Sequence, residues 1–201
     1  MNTKQKIAIF SPIVLIGTMT PLFQILAKLL GGTLGWYLGL IIYWIIWGGV
    51  YSWMMIGAEG IKKITKPQML NFRNFLYVFV LLILSFIFKT ITVTEYQKPE
   101  TWILILYLST NVGNGIFEEI LWRGVYMELF PRNNLIRILW SSIWFGLWHY
   151  APGTVSSSGN AIGLMIGSGF MGLYLSVLAK KTDTAWWGIV AHILGGLIMV
   201  S

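Results

Sequence analysis

Polar residues are sparse along this chain and punctuate it more than they pattern it. Long apolar runs cover residues 7–30, 34–56, 75–91, 101–129, 135–149, 159–179 and 184–200, separated by short polar segments. A helix that crosses the hydrocarbon core of a bilayer needs about 17–25 mostly apolar residues. Most of these runs reach that length, while the third and fifth are short or interrupted. The fourth is too long for one straight span, so the sequence predicts a kink near residues 111–115 (NVGNG) or an end that leaves the bilayer. The predicted architecture is all-α: a polytopic transmembrane helix bundle of about seven spans, forming a single membrane domain over residues 1–201. No separate soluble domain, linker or internal repeat is visible.

Composition supports a membrane setting. Of 201 residues 56% are hydrophobic and only 10% charged, where soluble domains carry about 25% charged residues. Eleven Trp and nine Tyr match the aromatic enrichment of membrane interfaces. The absence of cysteine excludes disulfides, thiolate chemistry and zinc–thiolate sites. The net charge of +7 does not point to nucleic acid, because the basic residues sit in short segments between apolar runs. There they set topology. With the N-terminus cytoplasmic, Lys4, Lys6, Lys62, Lys63, Lys66, Arg73, Arg132, Arg137, Lys180 and Lys181 lie inside, and Lys28, Lys89 and Lys98 outside. Ten against three is a clear positive-inside bias. The first run follows two lysines, exceeds a signal-peptide core and lacks a small-residue cleavage pattern, so it is expected to remain as an anchor.

The stretch GIFEEILWRGVYMELF, residues 115–130, breaks the apolar rule with Glu118, Glu119 and Arg123. A charge at the bilayer centre costs at least about 2.5–3.5 kcal/mol on insertion scales. These groups are therefore expected to pair or to face the bundle interior. Glu119 and Arg123 are four residues apart in the favourable order for a helical ion pair. Glu118 is rotated about 100° away on an α-helix and is left without a partner on its own helix. The two histidines of the chain, His149 and His192, also lie in apolar runs, and Phe145 precedes His149 by one turn. Two carboxylates, an arginine and both histidines thus fall on three predicted spans. Buried carboxylate and imidazole groups are the usual starting point for acid–base chemistry.

Glu118-Glu119-x-x-x-Arg123, Phe145-x-x-x-His149 and His192, in this order on successive spans, resemble the CPBP family of CAAX prenyl proteases and bacteriocin-processing or immunity proteins. The resemblance covers residues 101–200, whose four spans would form the catalytic core. It implies an intramembrane endopeptidase that hydrolyses a peptide bond in a membrane-associated or lipidated peptide or protein, with membrane lipid as its surroundings. In that scheme Glu118 is the general base, His149 holds the same water and His192 stabilises the oxyanion. Glu119 with Arg123 orients the helix. The family's metalloprotease-like character leaves a divalent metal such as zinc open: Glu118, His149 and His192 offer three ligands for one, but the chain has no HExxH, and histidines on separate helices suit a metal-bound and a metal-free scheme alike.

One position departs from the pattern. Four residues after His192 the family carries Asn or Asp, and this chain carries Gly196. Asn111 and Asn114, about two and one turns before Glu118, are candidates to supply the missing amide, unless both serve only the expected kink. Gly196 also gives weight to an alternative: a non-catalytic membrane protein of the same fold, acting in peptide binding or bacteriocin immunity. Small residues at Gly163, Gly167, Gly169, Gly172, Gly195 and Gly196 suit close helix packing.

Overall fold

The computed structural model describes residues 1–69, 71–92, 100–130, 133–156 and 159–200. Lys98 and Arg132 of the charge pattern, and residues 157 and 158 of the expected external loop, lie outside them. The fold is an all-α membrane bundle, with no strand among the described residues.

Helix α1, Thr3–Leu30, opens on a reciprocal cap: Asn2 Oδ1 accepts from Gln5 N at 2.9 Å, and Gln5 Oε1 accepts from Asn2 N at 3.0 Å. Such a cap satisfies two backbone donors that a helix start leaves free. Helix α2, Gly32–Ile64, follows directly. Its predicted end at residue 56 coincides with a bend at Gly57, where φ is 72° and only glycine is comfortable. Beyond the bend the helix continues to Ile64, with Lys62 and Lys63 in its last turn. Helix α3 is Phe72–Thr92.

Helix α4 runs from 101 to 129 and corrects one expectation. No break occurs at residues 111–115: Gly113 and Asn114 keep helical backbone angles. Instead the helix changes its hydrogen-bond register and runs as a π-helix from Asn114 to Tyr126. Helix α5, Asn134–Trp148, starts where Asn133 Oδ1 accepts from Leu135 N at 2.9 Å. A one-turn helix, Tyr150–Gly153, occupies the start of the expected loop. Helix α6, Ala161–Thr182, ends on Asp183 in the left-handed region (φ 51°), and α7 is Trp186–Val200.

By length and composition α1, α2 and α6 are able to cross a membrane, while α3 and α7 contain the shorter apolar stretches 72–87 and 186–198. The outer surface is apolar, with Phe10, Ile13, Trp53, Phe79 and Phe170 among its exposed side chains. In water such a surface would be an association site; in lipid it is the ordinary solvent-facing side.

The core lies around the middle of α4. Leu121, Trp122, Val125 and Tyr126 are buried against Leu15 and Phe23 of α1, Tyr43 of α2 and Phe145 of α5. The first half of the chain is therefore part of the same interior as the motif-bearing half. A second cluster joins Val78 and Leu81 of α3 to Leu175 of α6 and to Trp187 and Ala191 of α7. The α6–α7 turn is tied to the end of α2: Ala185 N and Thr184 Oγ1 both donate to Ile64 O at 2.8 Å. That clamp fixes where α7, and hence His192, enters the bundle.

Candidate active site

Glu118, Glu119 and Arg123 all lie in the π-helical stretch of α4. π-turns are uncommon, occur mostly as single-turn insertions and favour functional sites; here the register persists for 13 residues. A wider turn reduces the angle between successive side chains below the about 100° of an α-helix. Both adjacent glutamates consequently face inward, Glu118 being 1% exposed and Glu119 0%. The rotation that the sequence predicts between them is not enough to expose either. The π stretch packs on a second one in α2, Trp44–Tyr51, through Gly48 against Phe117 and through Trp44 Nε1, which donates to Asn114 Oδ1 at 2.9 Å.

Glu119 is the hub of the charges. Its Oε1 accepts from Arg123 Nη1 at 3.1 Å, the ion pair expected from the four-residue spacing, and lies 3.0 Å from His192 Nδ1. The carboxylate accepts, so His192 carries its proton on Nδ1. Glycines let the neighbouring helices close over this group. A β-carbon on Gly188 would lie 2.7 Å from Glu119 Oε2, and one on Gly172 would lie 3.1 Å from Arg123 Nη2. The Arg123 guanidinium sits 4.0 Å above the centre of the Phe145 ring. In a desolvated site such a cation–π contact is worth about 2 kcal/mol. Phe145 also meets the His149 ring edge-on with centroids 4.5 Å apart.

Glu118 faces both imidazoles. His149 Nδ1 lies 2.8 Å from Phe145 O, and a carbonyl only accepts, so Nδ1 holds the proton and Nε2 presents a lone pair. That Nε2 is 4.0 Å from Glu118 Oε1, and His192 Nε2 is 3.9 Å from Glu118 Oε2. Neither gap is a direct hydrogen bond. Oε2 of Glu118 is buried and has no partner. The structure thus brings Glu118, Glu119, Arg123, Phe145, His149 and His192 together from α4, α5 and α7.

Two side chains that build the site escaped the sequence. Trp148 Nε1 donates to Glu118 Oε1 at 3.0 Å, and the Trp148 ring stacks on Tyr43 with centroids 4.0 Å apart. Tyr43 in turn accepts from Trp122 Nε1 at 3.0 Å. Trp148 immediately precedes His149, but an indole in an apolar run of an eleven-tryptophan chain carries no distinguishing signal.

As ligand chemistry, one carboxylate with an orphaned oxygen and two imidazole nitrogens suits a catalytic zinc site with one open position. The spacing is wider than coordination requires. Tetrahedral ligand atoms at zinc bond lengths stand about 3.4 Å apart, against 3.9 and 4.0 Å here. Among the described residues no group of three such side chains stands close enough to hold a metal as placed.

Neither a curated protein nor a solved structure matches the chain. Residues 100–198 match the Rce1-like family, described as type II CAAX prenyl endopeptidase Rce1-like. All six site residues lie in the matched stretch, whereas Tyr43 and the rest of α1 and α2 lie outside it. Over that stretch, close to half of its length, the chain matches the Rce1-like family, part of the CPBP family.

Proposed function

We propose that this protein is an intramembrane endopeptidase that hydrolyses a peptide bond in a membrane-associated or lipidated peptide, using a water activated by Glu118 and His149. The observation that carries the reading is Glu118 Oε2: buried, without a partner, and 3.9 Å from His192 Nε2. A carboxylate oxygen left so in a bilayer costs several kcal/mol of lost solvation. Reactant binding gives that cost a purpose which helix packing alone does not.

A water about 2.8 Å from the atoms on either side spans each of the two gaps. Glu118 takes one proton as the water oxygen attacks the carbonyl carbon. His149 Nε2, a lone-pair acceptor in the tautomer that Phe145 O selects, receives the second O–H as a hydrogen bond. Doubly protonated His192, with Nδ1–H on Glu119, turns Nε2–H toward the carbonyl oxygen as it becomes an oxyanion. When the C–N bond breaks, the proton on Glu118 passes to the leaving amine. Glu119 and Arg123 touch no reacting atom; they hold His192 and the α4 backbone in place. A divalent metal such as zinc would be held by Glu118, His149 and His192, and when bound it polarises the carbonyl and acidifies the water.

The family description points to a prenylated peptide near its C-terminus as substrate. An interior site reached through lipid favours a client with an apolar or lipidated segment. The charge bias supports a multi-pass cell-membrane protein with a cytoplasmic N-terminus. The second reading, a non-catalytic binding or immunity protein, draws on the tight fit of Gly196 against Asn111. The two separate in liposomes carrying the purified protein and a peptide with a prenylated cysteine near its C-terminus. Mass spectrometry is expected to find a hydrolysed product that the unprenylated peptide does not yield. Retained peptide binding with no product from any peptide would favour the non-catalytic reading.

A further inference from the structure

Asn111 lies two turns before Glu118 on α4, and Gly196 one turn after His192 on α7. A β-carbon built on Gly196 would stand 2.6 Å from Asn111 Oδ1, 2.8 Å from its Cγ and 3.2 Å from its Cβ. The Asn111 carboxamide therefore occupies the space that a side chain at residue 196 would fill. Its Nδ2 is buried and makes no hydrogen bond. A buried donor left without an acceptor is destabilising, because its lost hydration is not replaced. Asn114, one turn on, shows the ordinary outcome for the same side chain, accepting from Trp44 Nε1 at 2.9 Å. Of the two asparagines only Asn111 has an amide nitrogen that is both buried and without a partner.

His192 sharpens the point. Its Nδ1 is engaged with Glu119 Oε1 at 3.0 Å, so Nε2 is the one ring nitrogen left to face an oxyanion from α7.

We propose that Asn111 is a catalytic residue of this chain. Its Nδ2–H binds the carbonyl oxygen of the scissile peptide as that oxygen gains charge, with α4 supplying the donor that glycine at 196 leaves out of α7. The role rests on the peptidase reading above. The oxygen becomes an oxyanion when water attacks and a carbonyl again when the C–N bond breaks; Asn111 gives and receives no proton.

Removing one such donor lowers turnover by about 10²–10³. For Asn111→Ala in the liposome assay, kcat is expected to fall by that factor with KM little changed. Gly196→Asn alone is expected to be impaired, because its side chain collides with Asn111. The exchange Asn111→Gly with Gly196→Asn is expected to recover most of the lost turnover, since the amide then enters the same space from α7. Thermal melting of each variant separates loss of chemistry from loss of fold. Parent-level kcat in Asn111→Ala overturns the proposal. So does a loss that tracks melting and that the exchange does not restore. Glu118→Gln distinguishes the two levels: if it is inactive while Asn111→Ala is fully active, the peptidase reading stands and only the Asn111 role fails. A parent that cleaves nothing, or Glu118→Gln with parent activity, overturns both.

Discussion

Trp148 holds Glu118 by one oxygen, its indole Nε1 donating to Oε1 at 3.0 Å, and leaves the other oxygen unpartnered. The donor is fixed by packing: its ring is stacked 4.0 Å from Tyr43 at an interplanar angle of 22°. A carboxylate with a single oriented donor keeps its direction, here with Oε1 toward His149 and Oε2 toward His192. A residue of α2, outside the family-matched stretch, thereby aims the proposed base.

Trp148→Phe removes the donor and keeps a ring against Tyr43. A hydrogen bond to a charged group contributes about 1.5–3 kcal/mol, so a roughly 10–100-fold loss of turnover is expected with the fold retained. Tyr43→Phe makes the contrasting case: it strands the buried Trp122 N–H at a cost of about 1–3 kcal/mol but preserves the stack. Melting should fall while turnover stays near that of the parent. If the two variants exchange these phenotypes in paired turnover and melting measurements, the Trp148–Glu118 contact has no role in aiming the base.

Arg123→Met leaves Glu119 without its ion pair in a fully buried position. Breaking a buried pair from one side costs about 3–5 kcal/mol, so this variant is expected to melt far below the parent. Adding Glu119→Gln removes the stranded charge and should recover most of that stability without recovering activity, because His192 Nδ1 loses its carboxylate. Chemical denaturation of both variants in detergent measures this, and a double variant no more stable than Arg123→Met would count against the pairing.

Gly188→Ala tests the closure over Glu119, since its β-carbon would sit 2.7 Å from Oε2. Overpacking of this kind costs about 1–3 kcal/mol. Here the displaced atom belongs to the group that holds His192, so activity should fall more than melting does. Equal stability and activity to the parent would mean that α7 has slack at this point.

Because the chain has no cysteine, single cysteines report its topology directly. With the N-terminus inside, Lys63→Cys should resist a membrane-impermeant maleimide in intact cells, and Ser156→Cys should react. External labelling at residue 63 would reverse the assignment.

What the sequence revealed follows the strength of each local signal. Apolar run length is a strong one, and the helices fall where the runs do. Even the expected end at residue 56 has a physical counterpart in the bend at Gly57. Glu119 and Arg123 were legible because a four-residue spacing puts two side chains on one face. The π register of α4 was not, because an asparagine between two glycines is equally compatible with a kink. The Tyr43–Trp148–Glu118 relay was not either, since it depends on two distant segments meeting. The asparagines could be named as candidates, but only the fold distinguishes Asn114, engaged by Trp44, from Asn111, packed on Gly196.

The most direct measurement compares the parent and Glu118→Gln, reconstituted side by side with a prenylated peptide, by mass spectrometric counting of hydrolysed product. Gln keeps the shape and can accept from Trp148 but cannot take a proton from water. General-base catalysis contributes about 10²–10⁴-fold, so the variant is expected to lose at least that factor while its melting stays near the parent's. Product formation by Glu118→Gln at the parent's rate would contradict the assignment of Glu118 as the base.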